Sequence, residues 1–305
     1  MIEQLIDKLK GGSYKTLETT PPHEPTLDSM VSTLEKWNLV KHIDGFSATD
    51  NPLAKLKYDS FFAAIRLQQT FHKPVITTMS MRDRNRISFQ SQLLGANDFD
   101  VRAILSLTGD PVHLSDQPQA KGVFEGDSTM LLDMIRCLNS GLDYSGRPFK
   151  QTPKTIYPFG VTNSFAKNFA HIEKKMVKKI KNGAVGLISQ PLFDLDNAKM
   201  LLSTFNHARK DFDDQRRESQ LILGVFPVSR LRTAQFLSSH VPGIHVPDLW
   251  IEKLTKAAAI SEEEEIKVGK ELSSNLLRSL WNFHPKIHLM TANRFELAAE
   301  LLENL

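Results

Sequence analysis

Short runs of β-branched and apolar residues alternate along the chain with longer segments whose apolar residues recur at helical spacing. Each run is followed by a polar or glycine-containing turn, and the pattern repeats eight times. The runs predicted as strands are 14–20, 40–46, 74–81, 102–108, 155–161, 184–190, 221–228 and 286–291. The segments predicted as helices are 25–37, 60–70, 84–96, 128–139, 167–182, 195–207, 230–239, 261–281 and 294–302. Strict alternation of strand and helix predicts a parallel sheet covered by helices.

The number of units decides between the two common parallel architectures. Eight units of about 38 residues fit a closed (β/α)8 barrel better than an open doubly wound sheet, which usually has five or six strands. An open dinucleotide-binding sheet also needs a glycine-rich turn after its first strand, and Pro21, Pro22 and His23 cannot form one. We therefore predict a single (β/α)8 TIM barrel spanning residues 1–305 as one domain, with its chemistry at the carboxyl ends of the strands.

The composition of the chain indicates which kinds of ligand and partner it can bind. Of the 305 residues 41% are hydrophobic and 24% charged, and the net charge of +3 provides no broad basic surface for nucleic acid. The single cysteine, Cys137, can form neither an internal disulfide nor a cysteine-based metal site, and the ten histidines show no metal-ligand spacing. No apolar stretch long enough for a membrane span or an export signal appears. These features predict a cytoplasmic protein with a small-molecule ligand and no metal.

Several predicted strands end in polar residues with chemical potential. Glu18, inside the first strand, would have the raised pKa of a general acid if it pointed into a barrel mouth, or would be an ordinary exposed glutamate on a short edge. Gly109 and Asp110 end the fourth strand, where glycine permits close approach to a planar ligand and aspartate accepts hydrogen bonds, although Gly-Asp-Pro is also a common turn. Gln190 ends the sixth strand and suits either a heterocycle edge or a backbone cap.

Two arginines stand at the start of a predicted helix. Arg82 and Arg84 are unfavourable there against the helix dipole unless an anion or a carboxylate compensates them. The sequence leaves two explanations open. One is a neighbouring phosphate, and the other is pairing with Asp83 or with surface glutamates.

A series of short motifs carries a resemblance that covers nearly the whole chain. The motifs are DNPLA at 50–54, RDRN at 82–85, QS at 90–91, LLG at 93–95, LTGDP at 107–111 and LNSG at 138–141. Taken in this order, they resemble the methylenetetrahydrofolate reductase family of flavoproteins, which are (β/α)8 barrels. The chain looks especially like the branch with LTGDP in place of RGD, which includes the reductase half of bifunctional homocysteine methyltransferase/reductase proteins.

The resemblance implies an activity and roles for the residues at the strand ends. It implies an FAD enzyme that reduces 5,10-methylenetetrahydrofolate to 5-methyltetrahydrofolate, with NADH or NADPH reloading the flavin in a ping-pong cycle. Glu18, in the pattern E-x-x-P-P, matches the family's general acid, and Asp110 matches the aspartate between flavin and pterin. Gln190 matches the glutamine that holds the pterin edge, and Arg294 a substrate-contacting arginine. Leu237 stands where some members have a substrate-contacting phenylalanine.

The resemblance also implies a set of flavin-binding positions. They are Ser47, Thr78, Ser80, Arg82, Arg84, Thr108, Gly109, Asp110, Phe124, Asn163 and Lys179, of which Asn163 and Lys179 match the phosphate and adenosine region. Thr78 replaces a usual histidine, Phe124 replaces a frequent tyrosine, and Thr108 replaces the arginine of RGD, as is usual for this branch. These departures concern flavin affinity and redox tuning and leave the acid and the aspartate in place.

Two other functions stay open at this level. The same flavin barrel could take its electrons from an electron-transfer protein such as a ferredoxin, or run oxidatively. Because Cys137 is alone, any iron–sulfur relay would have to come from that partner. The chain could also be a non-catalytic folate- or flavin-binding subunit of a methyl-transfer complex, although such a subunit has no need of Glu18. A homo-oligomer is expected in each case.

Overall fold

The computed structural model describes residues 1–241 and 243–305, and these residues form a closed eight-stranded parallel barrel. The strands are β1 (Tyr14–Thr19), β2 (Gly45–Ala48), β3 (Val75–Ser80), β4 (Ala103–Leu107), β5 (Tyr157–Thr162), β6 (Gly186–Pro191), β7 (Gln220–Val225) and β8 (Lys286–Leu289). Each strand pairs with the next in sequence, and β8 pairs with β1 through Tyr14 opposite Lys286 and Leu17 opposite Leu289. The predicted single (β/α)8 barrel is confirmed.

Eleven α-helices lie in the described residues. They are α1 (Ile2–Gly11), α2 (Asp28–Lys36), α3 (Ser60–Phe71), α4 (Arg86–Asp98), α5 (Ser128–Asn139), α6 (Phe169–Lys181), α7 (Leu195–Arg209), α8 (Leu231–His240), α9 (Asp248–Ala258), α10 (Glu262–Phe283) and α11 (Phe295–Leu302). Short polar side chains accept hydrogen bonds from the first turn of many of them, including Asp59, Asn85, Asp127, Asn168, Asp194 and Ser261. None of these helices combines the length and apolar character needed to cross a bilayer.

Three elements differ from the sequence prediction. Helices α1 and α9 are absent from that prediction, and the second strand begins at Gly45 instead of residue 40. Val40 and Ile43, which help make the earlier segment look β-prone, pack in the core between the strands and the helices. Asp44 then accepts a hydrogen bond from the backbone N–H of Lys15, so the ladder with β1 starts only after it. The apolar residues of this segment therefore predict its burial correctly, but they place the start of the second strand five residues too early.

Helix α1 closes the amino-terminal end of the barrel. Its buried residues Ile2, Leu5, Ile6 and Leu9 follow helical spacing and form one cluster with inward-facing residues near the start of the strands. Those residues include Tyr14, Ile76, Ala103 and Phe159. A larger cluster fills the layer between the strands and the outer helices. Since α1 and the interior side chains fill the lower part of the barrel, the space for a ligand lies at the carboxyl ends of the strands.

Candidate functional site

A cavity of about 650 Å³ opens at the carboxyl ends of the strands, a size within the usual range for small-molecule sites. Ten of the residues singled out in the sequence line it: Glu18, Thr78, Ser80, Arg82, Thr108, Gly109, Asp110, Asn163, Lys179 and Gln190. They come from β1, β3, β4, β5, β6 and α6 and the segments that follow the strands. The fold thus brings together polar groups that are widely separated along the chain.

Glu18 lies on β1, a strand that is paired on both sides, so it is not on an exposed edge. Its side chain is 25% exposed and forms part of the cavity wall. The backbone just beyond it is held by Asn293, whose side-chain amide accepts from Thr20 N–H (2.9 Å) and donates to Thr20 C=O (2.7 Å). Asn293 adopts a left-handed backbone conformation (φ 61°) to make this pair. The end of β1 therefore has a fixed position.

His288, on β8, is the site residue that the sequence reasoning missed. It is 2% exposed, lines the same cavity, and places its Nε2 atom 3.9 Å from Glu18 Oε2. Its Nδ1 atom lies 2.8 Å from the hydroxyl of Thr16. A search for histidines at metal-ligand spacing does not identify His288. The alternation of side chains along β8 could have identified it, because it places Lys286, His288 and Met290 on one face of the strand.

Asp110 is held by the loop that follows β2. One carboxylate oxygen accepts a hydrogen bond of 2.7 Å from the backbone N–H of Leu53. Leu53 and Ala54 both have positive φ angles (56° and 57°), an unusual conformation for residues with side chains. Such strain is characteristic of functional loops, and here it directs a backbone donor at the carboxylate.

Gly109 has a conformation that only glycine tolerates well. Its φ angle is 97°, and a Cβ atom there would lie 2.2 Å from Ser80 Oγ and 2.9 Å from Arg82 Cβ. The end of β4 therefore packs directly against the end of β3. This close approach places Asp110 at the cavity wall next to Ser80.

Both arginines near the end of β3 are paired with carboxylates. Arg82 donates from Nε and Nη2 to Asp83 (2.7 and 2.6 Å) and from Nη2 to the carbonyl of Asn51. Arg84 donates to Asp50 (2.6 Å) and lies 3.6 Å from Asp59. Of the two explanations left open by the sequence, the structure favours pairing with carboxylates. Arg82 still lines the cavity, whereas Arg84 lies behind it.

A second cavity of about 320 Å³ continues from the first between α5 and α6. The two share Thr108, Ser128, Val161, Asn163 and Lys179, and the second adds Lys175 and Lys178. Lys179 Nζ donates to the carbonyl of Val161 (2.5 Å), and burial lowers the pKa of Lys179 to about 8. Lys178 by contrast is exposed and pairs with Asp127 (3.0 Å). The groove also carries the Asp127 carboxylate, which caps the first turn of α5, and its three lysines outnumber this one acidic group, so it suits an anionic ligand.

Replacing Lys179 with methionine is expected to stabilise the ligand-free protein at pH 7 by about 2 kcal/mol. The lowered pKa of the buried amine corresponds to a penalty of about 3.5 kcal/mol at about 1.4 kcal/mol per unit, and loss of the hydrogen bond to Val161 offsets about 1.5 kcal/mol of it. In the unfolded chain the lysine keeps its ordinary pKa of 10.5. Between about pH 8 and pH 10.5 the unfolded state thus binds more protons, and the wild-type protein gains stability as pH rises. Urea unfolding of both proteins across this range measures the difference, which should shrink with increasing pH.

The control for this experiment is Lys178→Met on the same helix. Because Lys178 is exposed, its replacement should change the free energy of unfolding by no more than about 0.5 kcal/mol. A stability difference between wild type and Lys179→Met that stays constant from pH 7 to about pH 10 would contradict a burial penalty on the charged amine.

Gln190 and Asn163 lie against Gly243, which stands between α8 and α9 in the chain. A Cβ atom on Gly243 would lie 2.5 Å from Gln190 Oε1 and 2.0 Å from Asn163 Nδ2, so glycine is needed for this contact. The carbonyl of Gly243 also accepts from the backbone N–H of Phe165 (3.0 Å). Gly243 therefore packs closely against side chains at the ends of β5 and β6 that line the cavity.

Five predicted site residues lie outside the cavity lining. Ser47 is buried beside His288, with its Oγ atom 3.5 Å from Nε2, and Leu237 is buried in the core on α8. Phe124 is 39% exposed on the loop after β4. Arg294 donates to Ser229 Oγ and to the carbonyls of Pro227 and Thr291, which ties the ends of β7 and β8 together. Arg84 is the fifth.

Comparison with solved structures finds the same fold at low sequence identity. An uncharacterized protein from Clostridium thermocellum that binds two copies of 5-methyl-5,6,7,8-tetrahydrofolic acid is 14% identical, with a TM-score of 0.60, and the match covers 100% of this chain and 99% of that one. DmoA from Hyphomicrobium sulfonivorans is 9% identical with a TM-score of 0.56, covering 95% and 86%. The long-chain alkane monooxygenase LadA is 9% identical with a TM-score of 0.57, covering 95% and 89%.

At these low identities the solved structures support the barrel fold only. Assignment to a family rests on the sequence comparison. No curated protein matches the sequence significantly. The family model described as methylenetetrahydrofolate reductase matches residues 1–305. The motif series from DNPLA to LNSG and the observed barrel agree with this match. The chain therefore belongs to the methylenetetrahydrofolate reductase family.

Proposed function

We propose that this protein reduces 5,10-methylenetetrahydrofolate to 5-methyltetrahydrofolate, with FAD as its cofactor and NADH or NADPH as the electron donor. The observation that carries the proposal is the meeting of Glu18, Asp110 and Gln190 in one cavity at the carboxyl ends of the strands. Family membership supports a reductase. The structural neighbour that binds methyltetrahydrofolate supports a folate as the substrate class.

The cavities suit FAD in shape and charge. The 650 Å³ cavity has apolar walls from Leu105, Leu107 and Ile188 for a planar ring system. The adjoining groove with Lys175, Lys178 and Lys179 suits the phosphates, and the glycine at 109 lets a flat ligand approach the backbone of β4. We assign these residues to the cofactor, and not Arg84, whose guanidinium is paired with Asp50.

When bound, the flavin would supply the hydride that reduces the folate. The protein's own groups have three tasks. Glu18 would donate a proton to the folate nitrogen whose bond to the methylene carbon must break, which produces the reactive iminium cation. Asp110, fixed by Leu53 N–H, would stabilise that positive charge electrostatically. Gln190 offers one amide donor and one acceptor to the pterin edge.

The closed lower end of the barrel bears on the kinetics. Because α1 and the barrel interior fill that end, the nicotinamide and the folate would have to use the same mouth. A single shared mouth favours alternate binding of the two substrates, in which the first product leaves before the second substrate enters. We therefore propose ping-pong kinetics.

The two half-reactions test the proposal separately. We expect purified protein loaded with FAD to bleach anaerobically when mixed with NADH or NADPH and to regain its yellow colour with methylenetetrahydrofolate. Bleaching by dithionite but not by either nicotinamide, followed by folate-dependent reoxidation, would instead assign the electron donor to a partner protein. A folded sample that neither retains flavin nor turns over folate would refute the proposed activity.

A further inference from the structure

His288 and Glu18 form a pair at the seam between the last and the first strand. Glu18 Oε2 lies 3.9 Å from His288 Nε2, about 1 Å longer than a direct hydrogen bond. The Glu18 side chain is 25% exposed at the cavity wall, and a small change of its torsions would close this gap. Catalytic hydrogen bonds are often long before the substrate binds.

Thr16 allows the imidazole to exist in either charge state. Its hydroxyl lies 2.8 Å from Nδ1, belongs to a residue that is 1% exposed, and can either donate or accept a hydrogen bond. When the ring is neutral with its proton on Nε2, the hydroxyl donates to Nδ1. When the ring is protonated at both nitrogens, the hydroxyl accepts from Nδ1. His288 can therefore gain or lose a proton without leaving a buried nitrogen unsatisfied.

The other titratable groups around the cavity are engaged with partners other than Glu18 and His288, or lie deeper in the barrel. Strand β1 also carries Tyr14, deeper in the barrel, whose pKa is raised by burial, and β2 contributes the hydroxyl of Ser47, 3.5 Å from Nε2. Across the cavity Asp50 is paired with Arg84, Asp110 accepts from Leu53 N–H, and Lys179 donates to a carbonyl. In the described part of the chain, the ion-pair contact of Glu18 is with His288.

A lone glutamic acid faces a difficulty as an acid at neutral pH, because it has already lost its proton. An imidazole titrates near neutrality, and two strongly interacting groups share their protons as a pair. A carboxyl and an imidazole in contact together keep one proton over a wider pH range than the carboxyl keeps it alone. The arrangement of Thr16, His288 and Glu18 meets this requirement.

We propose that His288 is the proton partner of Glu18, a positioning residue that keeps one proton available to the carboxyl at neutral pH. This inference rests on the proposed function of the site. In the acid step the Nε2 proton of the His288 imidazolium moves to the Glu18 carboxylate as that carboxyl gives a proton to the folate nitrogen, so Glu18 ends the step as the carboxylate it was. The imidazole is left neutral with its remaining proton on Nδ1, donated to the Thr16 hydroxyl, and Nε2 takes up a proton from water after product release.

The test is a single-turnover measurement with flavin reduced in advance, at about pH 5.5 and about pH 8. For His288→Gln we expect the folate half-reaction at the higher pH to fall by about 10- to 100-fold, within the range of general acid effects. At the lower pH the loss should be at least several-fold smaller, since the higher proton concentration of the solvent then competes with the imidazole as the source of the proton. Thr16→Val, which keeps side-chain shape, should show the same pattern at smaller amplitude.

A half-buried histidine just before the same strand provides the matched control. His284 is bonded to the carbonyl of Leu221 and lies outside the cavity lining, so His284→Gln should leave the pH dependence of the folate half-reaction unchanged. An equal loss for His288→Gln at both pH values would overturn the proposal, because a purely structural role predicts it.

A second readout is independent of turnover. In ¹⁵N NMR spectra at pH 7, the His288 Nε2 resonance should move towards its neutral-imidazole position in Glu18→Gln and not in Glu24→Gln, a change at an exposed residue. An unchanged resonance would overturn the pairing. If reduced wild-type protein fails to react with methylenetetrahydrofolate at any pH, the proposed function fails, and the NMR experiment alone decides the pairing.

Discussion

Replacing Glu18 with glutamine is expected to slow the folate half-reaction by about 10²- to 10⁴-fold, the usual contribution of a general acid. Glutamine keeps the size and a polar end but has no proton to give to the folate nitrogen. Reduction of the flavin by the nicotinamide needs no such proton from the cavity wall, and its rate should stay within about twofold of wild type. Anaerobic stopped-flow absorbance of the flavin band follows each half-reaction separately.

The matched control for this variant is Glu24→Gln, at an exposed position in the segment between β1 and α2. It removes the same charge from the same part of the chain without touching the cavity lining, so both half-reactions should keep their wild-type rates. Equal loss of the two half-reactions in Glu18→Gln would indicate damage to flavin binding. Full retention of folate reduction would remove Glu18 from the mechanism.

The largest expected effect on stability comes from Asp50. Its carboxylate is almost completely buried, accepts from Ser80 N–H (3.0 Å), and pairs with Arg84, which is itself only 11% exposed. Removing one member of such a pair leaves the other charge buried without compensation, which costs about 3–5 kcal/mol. We therefore expect Asp50→Ala to lower the free energy of unfolding by about that amount, with Asp59, 3.6 Å from Arg84, offsetting part of the loss.

Urea denaturation followed by circular dichroism measures this effect. The control is Asp196→Ala, which removes a similarly short ion pair with Lys199 (2.9 Å) from the surface, where the aspartate is 92% exposed. Surface pairs of this kind contribute about 0–1 kcal/mol. If the two variants lost similar amounts of stability, burial would not be the origin of the contribution of Asp50.

The barrel is predictable from the sequence because the fold depends on repeated local signals. Each strand is recognisable from β-branched residues and a following turn, and helix α5 has the bounds that its sequence predicts. Helix α1 escapes prediction because it is short and lies outside the repeating pattern of strand and helix on which the prediction rests. Helix α1 closes the amino-terminal end of the barrel through contacts with residues such as Ile76 and Phe159, which are distant in sequence. Local patterns do not encode such contacts.

The site is predictable in part for the same reason. Residues at the ends of strands, such as Glu18 and Asp110, can be placed because parallel strands share one carboxyl edge. The residues that each of these groups contacts cannot be predicted in this way. That Arg294 donates to backbone carbonyls, or that His288 faces Glu18, depends on the tertiary positions of β7, β8 and β1. These contacts are fixed by the register between strands that are far apart in the sequence, and no short sequence motif encodes that register.

The position of Glu18 and His288 at the seam of the barrel links the site to the order of folding. Thr16 and His288 are separated by 272 positions along the chain, and Thr20 and Asn293 by 273, so their contacts close loops almost as long as the whole chain. Contacts of such separation carry the greatest loop-closure entropy, and we expect them to form late. Strands β3 to β6, with most of the groups assigned to the flavin, can assemble from neighbouring segments before the barrel closes. We therefore expect the acid site to be completed in the last step of folding, when the first strand joins the last.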